Sequence, residues 1–96
     1  MGTTRREIII NKYEEFIMIS KDFLGEKMIF DKIDDLDINN LYVSLKKNFN
    51  TDKNDVSNYN SFKYILKFKG IKFADKNKKK EYFNITMEFI ICLLNL

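Results

Sequence analysis

The spacing of apolar and polar positions changes period along the chain, and those changes divide it into elements. Residues 16–20, FIMIS, are rich in β-branched and aromatic side chains, and a second apolar segment over residues 27–33 matches them, so both read as strands. Gly25 lies between them, where it can supply the positive φ of a hairpin turn. Over DDLDINNLYVSLKKNF the period becomes helical. Ile38, Leu41, Leu45 and Phe49 recur at three- and four-residue steps, Asp35 or Asp37 is available as N-cap, and Lys46 and Lys47 stand near the negative end. The stretch NTDKNDVSNYN reads as a loop of residues whose side chains compete for backbone hydrogen bonds.

Alternation returns with Phe62, Tyr64, Leu66 and Phe68 set against Lys63, Ile65, Lys67 and Lys69, which predicts a strand with one wet face. Gly70 interrupts it, and Ile71 and Phe73 continue on shifted parity, as at a bulge or a turn into a short strand. From Phe83 the alternation runs through Ile85, Met87, Phe89, Ile91 and Leu93, predicting a closing strand inside the sheet. Residues 1–15 carry conflicting signals, a capping-box spacing of Thr4 and Glu7 against a β-favouring Ile8-Ile9-Ile10 triplet. Their structure stays open, and they read as an N-terminal extension to a domain over residues 16–96.

Composition narrows the chemistry. A chain of 96 residues, 45% of them hydrophobic, is one domain able to fold without a cofactor. It contains no histidine, which removes Ser-His and Cys-His catalysis and imidazole metal sites, and no nucleophile and base pair stands out. An enzyme is not expected. The single cysteine, Cys92, allows no internal disulfide and fits a reducing compartment, as a small buried hydrophobe on its apolar segment. The four aspartates Asp31, Asp34, Asp35 and Asp37 lack the spacing of a calcium loop and read as helix-capping charge. No signal-peptide core precedes the domain, Arg6 stands where a myristoylation motif wants Ser or Thr, and FIICLLNL is far short of the roughly 20 residues a membrane helix needs. The expectation is an intracellular monomer in the cytoplasm or nucleus, with the Asn84-Ile85-Thr86 sequon unused. A net charge of +3 falls short of a dedicated nucleic-acid footprint.

A hairpin, one helix, a strand with a short strand after it, and a closing strand is the element order of the β-grasp fold, and the chain resembles the ubiquitin-like superfamily. The resemblance runs without a gap over residues 16–45, with Gly25 at the first turn, Asp37 beside the helix start, and Ile38, Leu41 and Leu45 at helix core positions. LKFKGIKFAD resembles the later strand, turn and short strand, and Phe83-Asn84-Ile85 the segment before the last strand, so that about 80 of the 96 residues are covered. DFLGEK and KYILK also resemble the noncovalent homologous-to-ubiquitin splicing modulators, although their paired C-terminal aromatics are missing. The resemblance implies an α+β fold, a mixed four- to five-stranded sheet on one main helix, and a protein that is bound rather than catalytic.

On that resemblance, the receptor-binding patch maps to Phe23, Lys67 and either Cys92 or Leu94, and a lysine at its centre would disfavour ordinary ubiquitin receptors. The candidate protein-binding residues are therefore Phe23, Lys63, Lys67, Lys69 and Leu94. The three lysines form a basic stripe for an acidic partner surface, or else a solvated face guarding an edge strand. Phe23 reads equally as a turn residue folded back on the core. Lys76-Asn77-Lys78-Lys79-Lys80 reads as a solvated loop, with phosphate or acidic-peptide contact as the alternative. As written, the chain ends in Leu96 without the glycine that conjugation requires. A noncatalytic, unconjugated protein-interaction module is expected. The alternatives are a conjugatable modifier cut before its glycine and a small nucleic-acid-binding winged domain with a recognition helix over residues 60–70. Nucleic acid is not the expected partner, because strict alternation in that segment would scatter apolar groups around a helix.

Overall fold

The computed structural model describes residues 2–25, 30 and 32–96. Among the described residues four helices account for the fold: α1 (Arg5–Leu24), α2 (Ile38–Asn48), α3 (Val56–Lys69) and α4 (Lys76–Leu94), with a short 3-10 turn at Ile33–Asp35. Among the described residues there is no β-strand. The expected α+β β-grasp fold, with its ubiquitin-like sheet, is therefore corrected to an all-helical domain. Of the second expected strand, residues 27–29 and 31 lie outside the described residues.

The correction has a physical basis in which residues are buried. On α3 the buried positions are Asn58, Phe62 and Leu66, four apart, while Tyr64 and Phe68 from the same apparent alternation are 71% and 82% exposed. On α4 the stretch from Phe83 to Leu94 is apolar except at Asn84, Thr86 and Glu88, so a period-two subset can be drawn from it. The positions it buries are Tyr82, Phe83, Thr86, Met87, Ile90 and Leu93, a helical stripe. On α1, Ile9, Tyr13 and Ser20 are buried and Phe16 is half-buried between them, so FIMIS lies mid-helix and the helix runs through residue 15 without a break. The β preference of isoleucine is weak and yields to burial of a whole face.

The helix ends are written in the sequence. Thr4, Asp37, Asp55 and Asp75 are N-caps, each accepting from a backbone N–H two or three residues on. Gly70 ends α3 in the left-handed region at φ 69°, and its N–H and that of Ile71 return to the last turn. The glycine read as a bulge or turn between strands is a helix C-cap. Gly25, read as a hairpin turn, caps α1 at φ 93°. The α2 helix stands where the sequence placed it, with Asp37 accepting from the Asn40 N–H at 3.1 Å and Lys46 and Lys47 in the last turn.

Side chains from all four helices meet in the core. α1 packs chiefly on α4, and α2 bridges α1, α3 and α4. Phe16 stacks on Phe89 with centroids 4.5 Å apart, and Phe83 meets Tyr59 and Phe62 in edge-to-face pairs with centroids 5.1 Å apart in each. Met87 and Leu93 are fully buried. A hydrogen bond crosses the α1–α4 interface, between the buried Ser20 and Tyr82 hydroxyls at 2.8 Å. Burial pushes the Tyr82 phenol above its ordinary pKa, and the Ser20 bond offsets part of that rise.

The α2–α3 connection is held by Asn58. Its amide oxygen accepts from the Asn50 N–H at 2.9 Å, and its amide nitrogen donates to the Asn50 and Asp52 carbonyls at 3.1 and 2.6 Å. One buried side chain thus satisfies three backbone groups of the loop. The Ser57 N–H and the Asn50 amide both donate to Asp55, and together they lower its carboxyl pKa.

Candidate binding surface

The local charge is far from the +3 average. Residues 63–80 hold eight of the 17 basic side chains and one of the 14 acidic ones, leaving nine basic against 13 acidic residues elsewhere. These residues span the C-terminal half of α3, the connection 70–75 and the first turns of α4. Because Gly70 turns the chain sharply, lysines from both helices converge on one cleft of about 580 Å³, lined by Lys63, Lys67, Lys72, Lys76 and Lys79 with Leu66, Ile71 and Phe73 as its apolar floor. Among the described residues, none of these ammoniums pairs with a carboxylate. Asp75 also lines the cleft, with one oxygen committed to the Lys78 N–H at 2.8 Å as the α4 N-cap.

Beside the cleft, on α3, stand Tyr64 and Phe68. They lie one helical turn apart and follow Lys63 and Lys67 directly in sequence, so two exposed aromatic rings run alongside two exposed ammoniums. Lys63 Nζ also lies 5.0 Å from the Tyr59 ring, which steadies its position.

The sequence-derived site residues separate in space. Lys63 and Lys67 share the cleft. Lys69 faces a different cavity, with Nζ 5.8 Å from the Phe30 ring. Phe23 is half-buried at the end of α1, its ring 6.0 Å from that of Tyr82, and Leu94 packs partly buried against the core. Among the described residues there is no sheet face on which these five could lie together. Sequence reasoning passed over Lys72, Phe73, Tyr64 and Phe68. The four-residue step of Tyr64 and Phe68, closing on Gly70, was the signal that could have found them. The lysine run expected as a loop is the start of α4, and Lys76 and Lys79 from it enter the cleft.

Among the described residues no three His, Cys, Asp or Glu side chains converge as metal ligands. No described helix is long and apolar enough to cross a membrane. Cys92 is half-buried on α4, in a shallow groove against α1. Comparison of the chain with known protein families, with curated proteins and with solved structures finds no match.

Proposed function

We propose that the chain is a noncatalytic protein-interaction module whose α3–α4 lysine cleft holds an acidic segment of a partner protein. The observation that carries this reading is the convergence of five lysines on an apolar floor beside two exposed aromatic rings. Such a surface suits a segment carrying both carboxylates and apolar anchors: the anchors occupy the Leu66, Ile71 and Phe73 floor or pack on Tyr64 and Phe68, and the carboxylates meet the ammoniums at the rim. Exposed aromatics are the residue type that dominates binding energy at interfaces, whereas rim lysines act chiefly on approach rate and orientation.

Nucleic acid competes for the same surface. Aromatic rings among lysines can stack bases, and α3 is a helix over residues 60–69, contrary to the alternation read against one there. The apolar floor of the cleft favours the peptide, since stacking bases need exposed rings and gain little from buried Leu66.

Fluorescence anisotropy separates the two, using a labelled peptide of alternating Glu and Leu and a labelled oligothymidylate of equal charge. The peptide is expected to bind more tightly, Lys67→Glu with Lys72→Glu to weaken it at least tenfold, and Phe68→Ala to weaken it about tenfold, near 1.4 kcal/mol. Tighter binding of the oligonucleotide would overturn the protein reading, and indifference of both probes to the lysine changes would overturn the site.

A further inference from the structure

A second concavity lies between the helices, sharing only Leu66 and Ile71 with the lysine cleft. It is an apolar cavity of about 200 Å³ whose walls include Leu45 from α2, Phe62 and Ile65 from α3, and Phe89 from α4. An apolar cavity of about 150 Å³ stays dry and accepts a benzene ring. This one therefore has room for a single ring or a short alkyl chain.

Its polar groups restrict what that occupant can be. The two hydroxyl-bearing side chains of α4 on its wall are engaged internally, Tyr82 with Ser20 at 2.8 Å and Thr86 Oγ1 donating to the Tyr82 carbonyl at 2.7 Å. A polar group placed deep in the cavity would displace those bonds, at a cost of about 1–3 kcal/mol for each group left unpaired. Among the described lining residues Lys69 is the one cation, no carboxylate is present, and because Lys69 is exposed its ammonium belongs to the opening.

We infer that this cavity binds a small monocarboxylate amphiphile, a short-chain fatty acid or aryl carboxylate, with its apolar body among Leu45, Phe62, Ile65 and Phe89 and its carboxylate at the Lys69 ammonium. The apolar part contributes most of the affinity, through transfer out of water, and the ammonium fixes the orientation and selects the acid over the neutral analogue. This site is independent of the acidic-peptide cleft, and either can fail without the other.

The test is a titration of the 13C-methyl-labelled chain with hexanoate and with hexan-1-ol, read at the Leu45, Ile65 and Ile90 methyls. Saturable shifts at these methyls are expected from both, with hexanoate the tighter. Lys69→Gln, an exposed change that leaves the core intact, is expected to weaken hexanoate about three- to fivefold, the range of an exposed ion pair, and to leave hexan-1-ol unchanged. Lys67→Gln makes the same change of net charge outside the cavity and is expected to leave both unchanged. Absence of saturable shifts from hexanoate up to about 10 mM, an affinity weaker than about 2.7 kcal/mol, overturns the site. So does equal weakening by Lys67→Gln, which would place the carboxylate in the lysine cleft, or preference for hexan-1-ol, which would remove the acid from the ligand class.

Discussion

At the scale of single residues, the Ser20–Tyr82 pair carries the clearest consequence. Both residues are buried, and their hydroxyls are joined at 2.8 Å across α1 and α4. Tyr82→Phe leaves the Ser20 hydroxyl without its partner in an apolar site, and about 1–3 kcal/mol is the expected loss. Ser20→Ala should cost a similar amount, and the double variant less than the two together, because the second change removes a group that the first had orphaned. Urea denaturation of the four proteins measures the cycle. The same pair sets a pH dependence. Burial raises the folded-state pKa of Tyr82 above the unfolded value near 10. Its contribution is therefore fully present below about pH 10 and is lost as pH rises through the folded value. The decline of stability above about pH 10 should be shallower in Tyr82→Phe; an unchanged slope would show that Tyr82 does not titrate with unfolding.

At the scale of elements, the ends of the helices were easier to read than their kind. Asp37 and the Ile38, Leu41, Leu45 spacing specified α2, since an N-cap and a helical stripe agree there. Gly25 was recognised as a point needing positive φ and Gly70 as a break at a bulge or turn; both adopt positive φ, but a hairpin turn and a helix C-cap make the same demand of a glycine. The misreading of α3 and α4 has one cause. Apolar residues so frequent that they fall on every face satisfy period two and period 3.6 together, and burial alone decides between them. The lysine cleft was half legible: Lys63 and Lys67 lie four apart and share a face, but bringing Lys72, Lys76 and Lys79 to them required knowing that Gly70 turns the chain into another helix. The buried role of Asn58 was invisible, since an asparagine inside a polar run reads as loop. Asn58→Leu keeps the volume and removes the bonds to Asn50 and Asp52, so it should cost about 2 kcal/mol and loosen the α2–α3 junction first. Hydrogen exchange at residues 50–58 checks this, and exchange unchanged from the parent would mean the loop holds itself.

At the scale of the whole molecule, the separation of charge extends beyond the cleft. A domain with extents of 45, 30 and 20 Å that gathers eight lysines along residues 63–80, and carries an acidic excess elsewhere, is an electric dipole. Its net charge of +3 alone would make copies repel, increasingly so as salt is removed. The dipole acts the other way, because one copy's lysine corner can face the acidic flank of the next. At roughly 0.01 M ionic strength the screening length of about 30 Å spans most of the molecule, while at 0.15 M it shrinks to about 8 Å. Static light scattering should therefore give a negative second virial coefficient in dilute buffer that rises towards zero with added salt. A positive coefficient that falls with salt would mean that the monopole governs. The lysine corner thus sets how the protein behaves in concentrated solution as well as what it can hold.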